Sequence, residues 1–234
     1  QLAWLYAQLG EGEKSLEQAK QSVAIARRLF APDHPLLADA LSGQTQALLS
    51  LDRTAEAIVV QEEAVGILRK RGARTEQMAY QLQLLAMLYR LDRQYDLAVA
   101  RARESCEIYR VTPGLDHNLT AGGIAELAVC YVAANRKREA DREFRTALEV
   151  LERIEDATIY VPQTLMDYAN LCRDDGRFAR SDSLYARALD LFHGANWLWL
   201  LTAVSTVASF MVVISLTVQR NREQRKLRDL ARVA

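Results

Sequence analysis

The chain has 234 residues, of which half are hydrophobic and about a quarter are charged, and only four are proline and ten glycine. This is the composition of a folded chain rather than a disordered one, and its wealth of Ala, Leu, Arg and Glu favours helices over a sheet. Basic and acidic residues balance overall, but the tail from Gln219 is basic and the rest mildly acidic, which argues against nucleic acid as a partner.

A pattern of two helices returns five times along the first 193 residues. One small residue follows the turn of each pair at a spacing of 41 or 42; these are Ser15, Ala57, Ala98, Ala140 and Ser181. Seven residues later, on the same helix face, come Ser22, Ala64, Ser105, Ala147 and Ala188. A period near 42 holds two helices too thin to bury their apolar faces alone. The pairs must therefore stack into a superhelix with a concave face.

Other residues typical of this repeat recur with the same period. In the third to fifth repeats they include Leu85, Ala86, Tyr89, Tyr95, Leu127, Ala128, Tyr131, Phe144, Phe178, Tyr185 and Leu189. The stretches P32-D-H-P and G114-L-D-H-N precede two of the repeats. With these features the chain resembles a tetratricopeptide repeat (TPR) array of the kinesin-light-chain-like variety. The resemblance implies an all-α, right-handed solenoid of five helix pairs whose concave face binds a peptide or helix of another protein.

The sequence departs from this family pattern at two kinds of position. Asp52, Arg93 and Asn135 stand where a turn glycine is usual, and Gln61 stands where a large apolar residue is usual. At the starts of two first helices, Asp33 and Asp116 are the predicted N-caps.

The sequence shows no pattern that would support an enzyme or a cofactor site. Phosphate-binding loops, HExxH and G-x-S-x-G are all missing, and His34 and His117 lie two repeats apart. We interpret these histidines as turn residues at the repeat junctions. The three cysteines lack CxxC spacing, so Cys106, Cys130 and Cys172 are predicted to be small core residues.

The first helix of each pair is expected to line the concave face. By repeat phasing its exposed positions include Trp4, Gln46, Gln83, Met87, Val129, Met166 and Asn170. These side chains are mostly neutral and include no lysine, which argues against a clamp for a partner's terminal carboxylate. They predict an apolar or amide-bearing groove suited to a helix or an extended segment. The alternative is that Trp4 and Met87 pack against a neighbouring repeat.

Residues 197–218 form an apolar run after a three-residue linker, 194–196. A helix of about 33 Å would cross a hydrocarbon core of about 30 Å, so the run predicts a single transmembrane helix. Its expected interface residues are Trp197, Trp199, Arg220, Arg222, Arg225 and Lys226. Ser205 and Ser209 offer a small-residue face to another membrane helix. The positive-inside rule then places the basic tail, 219–234, in the cytoplasm and the repeats in the periplasm.

Together these features predict a non-enzymatic, membrane-anchored interaction subunit. Its repeats and membrane helix would bind and stabilise a larger complex of membrane-embedded proteins in the lipid bilayer. Two alternatives remain open at this stage. One is the extracytoplasmic sensor region of a bacterial receptor such as a histidine kinase, and the other is a tail-anchored adaptor with its repeats in the cytosol.

Overall fold

The computed structural model describes residues 12–72, 74–114, 117–154 and 160–191, which include nine helices and no strand. In chain order the helices are α1 (Gly12–Leu29), α2 (Pro35–Leu49), α3 (Thr54–Lys70), α4 (Glu76–Leu91), α5 (Tyr95–Val111), α6 (Asn118–Ala133), α7 (Lys137–Glu152), α8 (Tyr160–Asp174) and α9 (178–191). The chain divides into two compact units, Gln1–Tyr185 and Ala186–Ala234. Of the second unit, residues 186–191 are described, and they are helical.

Within the first unit the helices stack as a solenoid. From α1 to α8, each helix packs against the next one along the chain. The first helices of successive pairs also meet, because α4 packs on α6 and α6 packs on α8. The predicted all-helical solenoid is confirmed for this part of the chain. The first helix of the first predicted pair falls on residues 1–11, outside the described residues.

Four of the turns between paired helices share one backbone geometry. Asp52, Arg93, Asn135 and Gly176 all have positive φ, at 56°, 63°, 57° and 73°. At Arg93 the flanking bonds are those of a Schellman motif: its amide donates to the Arg90 carbonyl, and the next amide, of Gln94, donates to the Tyr89 carbonyl. Three turns therefore keep the geometry that favours glycine although they lack the glycine.

Two histidines close the N-termini of first helices. Nδ1 of His34 accepts the amide of Leu36 at 3.2 Å, and Nδ1 of His117 accepts the amide of Leu119 at 3.1 Å. The N-cap predicted at Asp33 is therefore wrong by one residue, while Asp116 lies outside the described residues. The imidazole can cap the helix in place of the predicted carboxylate, because its unprotonated nitrogen also accepts a hydrogen bond from a backbone amide.

The small residues of the repeat lie where helices pack tightly. Nine of the ten are buried, and Ser22 is the exposed exception. The three cysteines are also buried, as predicted, and none forms a disulfide. Burial raises the pKa of Cys106 to about 11, which keeps this thiol protonated at neutral pH.

Gln61 is completely buried in a cluster of polar side chains that joins α2, α3 and α4. Its Oε1 accepts from the Thr45 hydroxyl at 3.0 Å, and its Nε2 donates to the carbonyl and to the side-chain oxygen of Gln81, at 3.0 and 2.7 Å. The Ser42 hydroxyl donates to the same Gln81 oxygen. A buried amide is tolerated at the usual apolar position because neighbouring helices satisfy its polar atoms.

Ion pairs connect the second helices of successive repeats. They are Arg27 with Glu63, Arg69 with Glu104, and Arg110 with Glu143, at 2.7, 2.7 and 3.7 Å. The arginines lie 42 and 41 residues apart, which repeats the period of the array. All of these side chains except Glu143 are exposed or half-exposed, so we assign the ladder a contribution of roughly 0–1 kcal/mol per pair to the free energy of unfolding.

The predicted membrane localisation is contradicted. No helix in the described part of the chain combines the length and the apolar character needed to cross a bilayer. The longest, α1, has 18 residues and bears several charged side chains, among them Arg27 and Arg28. The predicted span 197–218, the linker and tail beside it, and all the membrane-contact residues named above lie outside the described residues. A periplasmic or single-pass placement therefore has no support in this structure.

Candidate protein-binding groove

The first helices α2, α4, α6 and α8 form the inner side of the solenoid. Among them, α4 packs on α6 and α6 packs on α8, whereas α3, α5 and α7 show no comparable backbone packing on one another in the ranges described. Side chains that point away from the buried seams of α2, α4, α6 and α8 therefore share one face, which we call the groove.

Six of the seven predicted groove residues lie on these four helices. Gln46 and Asn170 are exposed, while Gln83, Met87, Val129 and Met166 are half-buried. Trp4 lies outside the described residues. Gln46 reaches the next first helix, where its Nε2 donates to the Tyr80 hydroxyl at 3.4 Å.

The middle of the groove is apolar. On α4, Tyr80, Leu84, Met87 and Leu91 follow one another at intervals of four, three and four residues, which places them in one stripe along the helix. Leu84 is the buried member of this stripe. Tyr80 and Leu91 are 46% and 52% exposed, although exposed large apolar side chains are costly in water. Ala125 and Val129 of α6 continue the apolar surface beside Met87.

On one side of this apolar centre, helix α2 has an open space above its backbone at Gly43. Gly43 of α2 occupies the repeat position of Leu84, and a Cβ built on it would meet nothing within 4 Å. The missing side chain makes the groove deeper beside α4. A bulky side chain from a partner could enter there without moving the backbone.

The other side of the centre is charged. Glu126 of α6 and Asp167 of α8 occupy the repeat position that holds Gly43 and Leu84 in the earlier repeats. Arg90 of α4 places its Nε 3.6 Å from Oε1 of Glu126, which is too long for a hydrogen bond, and this buried Nε has no hydrogen-bond partner within the described residues. Gln163 donates its Nε2 to both oxygens of Asp167 at 3.1 and 3.2 Å.

Both carboxyl groups are held in an environment that disfavours their charge. Burial raises the pKa of Glu126, against the opposing effect of Arg90 and the Cys130 thiol, and the charge of Asp167 raises it further. Burial also raises the pKa of Asp167, against the hydrogen bond from Gln163. Two desolvated carboxyl groups thus share one nearby guanidinium.

The neutral groove expected from the sequence is therefore incomplete. Repeat phasing at one position per turn does not identify Arg90, Glu126 and Asp167, because the face of a helix is about 100° wide or more. Glu126 and Asp167 directly follow Ala125 and Met166, so the repeat period alone would have placed them there.

A separate hollow beside the start of α7 is lined by Lys137, Arg138, Asp141, Asp175 and Arg177. Both of its carboxylates are already paired. Lys137 lies 3.6 Å from Asp175, and Arg177 donates to Asp141 at 2.5 Å. These ion pairs join the last two repeats.

Comparisons with known proteins agree with this architecture. Residues 1–70 match the tetratricopeptide repeat family profile. No curated protein sequence matches the chain.

Among solved structures, a putative kinesin light chain with nearly identical TPR-like repeats from Podosopora anserina is 20% identical, with a TM-score of 0.72 over 83% of this chain and 93% of its own. BtubC (BKLC) from P. vanneervenii is 21% identical, with a TM-score of 0.73 over 83% of this chain and 78% of its own. A Rap protein complexed with Competence and Sporulation Factor is 12% identical, with a TM-score of 0.65 over 81% of this chain and 51% of its own.

At these identities the solved structures show the fold, and no enzyme family is indicated. The chain is a TPR-like helical solenoid suited to protein–protein interaction, and its first 70 residues match the tetratricopeptide repeat.

Proposed function

We propose that this protein is a non-enzymatic scaffold that holds a segment of a partner protein in the groove and so stabilises a larger complex. The observation that carries the proposal is the apolar stripe on α4, in which Tyr80 and Leu91 are exposed and Met87 is half-buried. A stripe of this width matches the apolar face of one amphipathic helix or the alternate side chains of one extended segment.

The surroundings of the stripe support a peptide rather than a small molecule. The groove is open along the first helices, and it is bordered by exposed amide groups such as those of Gln46 and Asn170, which can pair with a peptide backbone. The Rap structure was solved with Competence and Sporulation Factor, which gives a similar fold in complex with a named factor.

The proposal is tested with a random peptide library displayed on phage and selected on the full-length chain. The groove variant carries Met87→Gln and Leu91→Gln. The matched control carries Val59→Gln and Leu97→Gln, which replace exposed apolar residues of the second helices α3 and α5. Circular dichroism melts first establish that both variants fold.

We expect selected peptides to bind the wild type and the control alike and to bind the groove variant roughly tenfold or more weakly. Peptides that lose affinity only for the control, or for neither variant, would place binding elsewhere and contradict the proposal.

A further inference from the structure

We propose that the segment bound in the groove carries a lysine or arginine next to its apolar residues, and that this cation lies between Glu126 and Asp167. The inference rests on the proposed function, because it names the chemistry of the segment that the groove would hold.

The first argument is the balance of charge on this part of the groove. Glu126 and Asp167 bring two carboxylates, and Arg90 brings one guanidinium at 3.6 Å from Glu126. Arg173, the other cation on the neighbouring face of α8, donates instead to Asn170 and to the Tyr185 hydroxyl, at 3.1 and 2.8 Å. One negative charge thus remains without a matching cation among the described groove residues.

The second argument is geometric. Glu126 and Asp167 occupy the same repeat position on α6 and α8, and these two helices pack against each other. Two carboxylates on adjacent helices, each with free acceptor positions, can both receive hydrogen bonds from one ammonium or one guanidinium. Asp167 accepts only from the Gln163 amide among the described residues, so it keeps acceptor positions for a ligand.

The third argument concerns what surrounds the acids. Val129 lies three residues after Glu126, one turn along the same face of α6, so an apolar side chain borders that carboxylate. Met166 directly precedes Asp167 on α8. A lysine or arginine has an apolar stem and a charged end, and it can lie along Val129 and Met166 while its cation meets the acids. An acidic or neutral residue at this place would leave the carboxylates desolvated and unmatched.

The library selection described above also tests this inference, with EDTA present so that no metal ion bridges the carboxylates. Selected peptides are expected to contain a basic residue flanked by apolar ones. Changing that residue to glutamine in a synthetic peptide should weaken binding to the wild type roughly tenfold.

The decisive comparison is a double-mutant cycle. The protein variant carries Glu126→Gln and Asp167→Asn, and the matched control carries Glu107→Gln and Glu149→Gln, which remove the same charge from the second helices α5 and α7. With the Glu126→Gln and Asp167→Asn variant, changing the peptide's basic residue to glutamine should leave the affinity almost unchanged. With the control variant it should still cost roughly tenfold.

The outcomes separate the two proposals. Peptides that depend on Met87 and Leu91 but bind both charge variants equally would overturn the basic-residue inference and leave the groove function standing. Peptides whose binding ignores Met87 and Leu91 would overturn both. A cycle that couples the peptide's cation to Glu126 and Asp167 in groove-dependent peptides supports both.

Discussion

Arg93 and Gly176 hold the same left-handed backbone at the same point of the repeat, with φ values of 63° and 73°. Glycine adopts this conformation without steric cost, whereas a residue with a Cβ pays roughly 1–2 kcal/mol for it. Three of the four Schellman turns therefore carry a small strain that the fourth avoids.

We predict that Arg93→Gly raises the free energy of unfolding by about 0.5–1 kcal/mol, since the relief of strain exceeds the added entropy of the unfolded chain. Gly176→Ala is the reverse change and should lower it by about 1 kcal/mol. Urea unfolding followed by circular dichroism measures both. A lower stability for Arg93→Gly would mean that the arginine side chain supports the turn.

Gln81 should be easier to replace than its burial suggests. Its Nε2 is buried and has no hydrogen-bond partner within the described residues, which costs roughly 1–3 kcal/mol. Because Gln61 Nε2 also donates to the Gln81 backbone carbonyl, Gln81→Met leaves that amide paired.

We expect Gln81→Met to leave the melting temperature unchanged or to raise it, by an amount corresponding to about 1 kcal/mol. Gln83→Met on the same helix is the control, because it makes the same chemical change at a half-buried site. A loss of 2 kcal/mol or more at Gln81, roughly the size of a disrupted buried network, would show that its side-chain oxygen holds the cluster together.

Gly43 and Gly66 both lie inside helices, and a Cβ on either would meet open space. Alanine at each site should raise the free energy of unfolding by about 0.5–1 kcal/mol through helix propensity. Only Gly43 faces the groove, so Gly43→Leu should block peptide binding while Gly66→Leu leaves it intact. Equal effects of the two leucine variants on binding would argue against the groove.

Asp141 and Asp167 should respond to pH in different ways. Burial acts to raise the pKa of Asp141, but hydrogen bonds from Arg177 and Tyr168 outweigh it, so the pKa is lowered. Such a carboxylate stabilises the fold above its unfolded pKa of about 3.9, and it loses that effect as pH falls through its folded value. Burial raises the pKa of Asp167, so its charge costs stability at neutral pH and the cost fades as pH falls through the raised value.

At pH 7 we therefore expect Asp141→Asn to destabilise the protein and Asp167→Asn to stabilise it. Lowering the pH to 4 should shrink the difference in the free energy of unfolding between the wild type and Asp167→Asn. Most of the difference between the wild type and Asp141→Asn should persist. Unfolding in urea at both values measures this. Parallel pH dependence of the two variants would contradict the assigned environments.

Much of the fold could be predicted from the sequence, because small residues recur with the repeat period at the positions where two helices pack closely. Ala57, Ala98 and Ala140 are fully buried where the repeat requires close approach. The charged part of the groove did not follow, because the ion-pair partners Arg90 and Glu126 are 36 residues apart and meet only once α4 and α6 are packed. The N-caps were misplaced because a carboxylate is the more usual acceptor than the neighbouring imidazole.

The membrane interpretation rested on local hydropathy, and no packing partner or contact in the described residues bears on it. The groove, by contrast, is formed by α2, α4, α6 and α8, which lie in the described part of the chain. It can therefore be tested at single side chains.

The most direct test of the groove uses the four methionines, Met78, Met87, Met166 and Met211. With their methyl groups labelled with carbon-13 in the full-length chain, a selected peptide is titrated and the methyl resonances are followed by NMR. We predict that the methyl resonances of Met87 and Met166 shift on binding. The resonance of Met78, which lies on α4 and is buried in the core, should not change. Binding that leaves Met87 and Met166 unchanged would contradict the account.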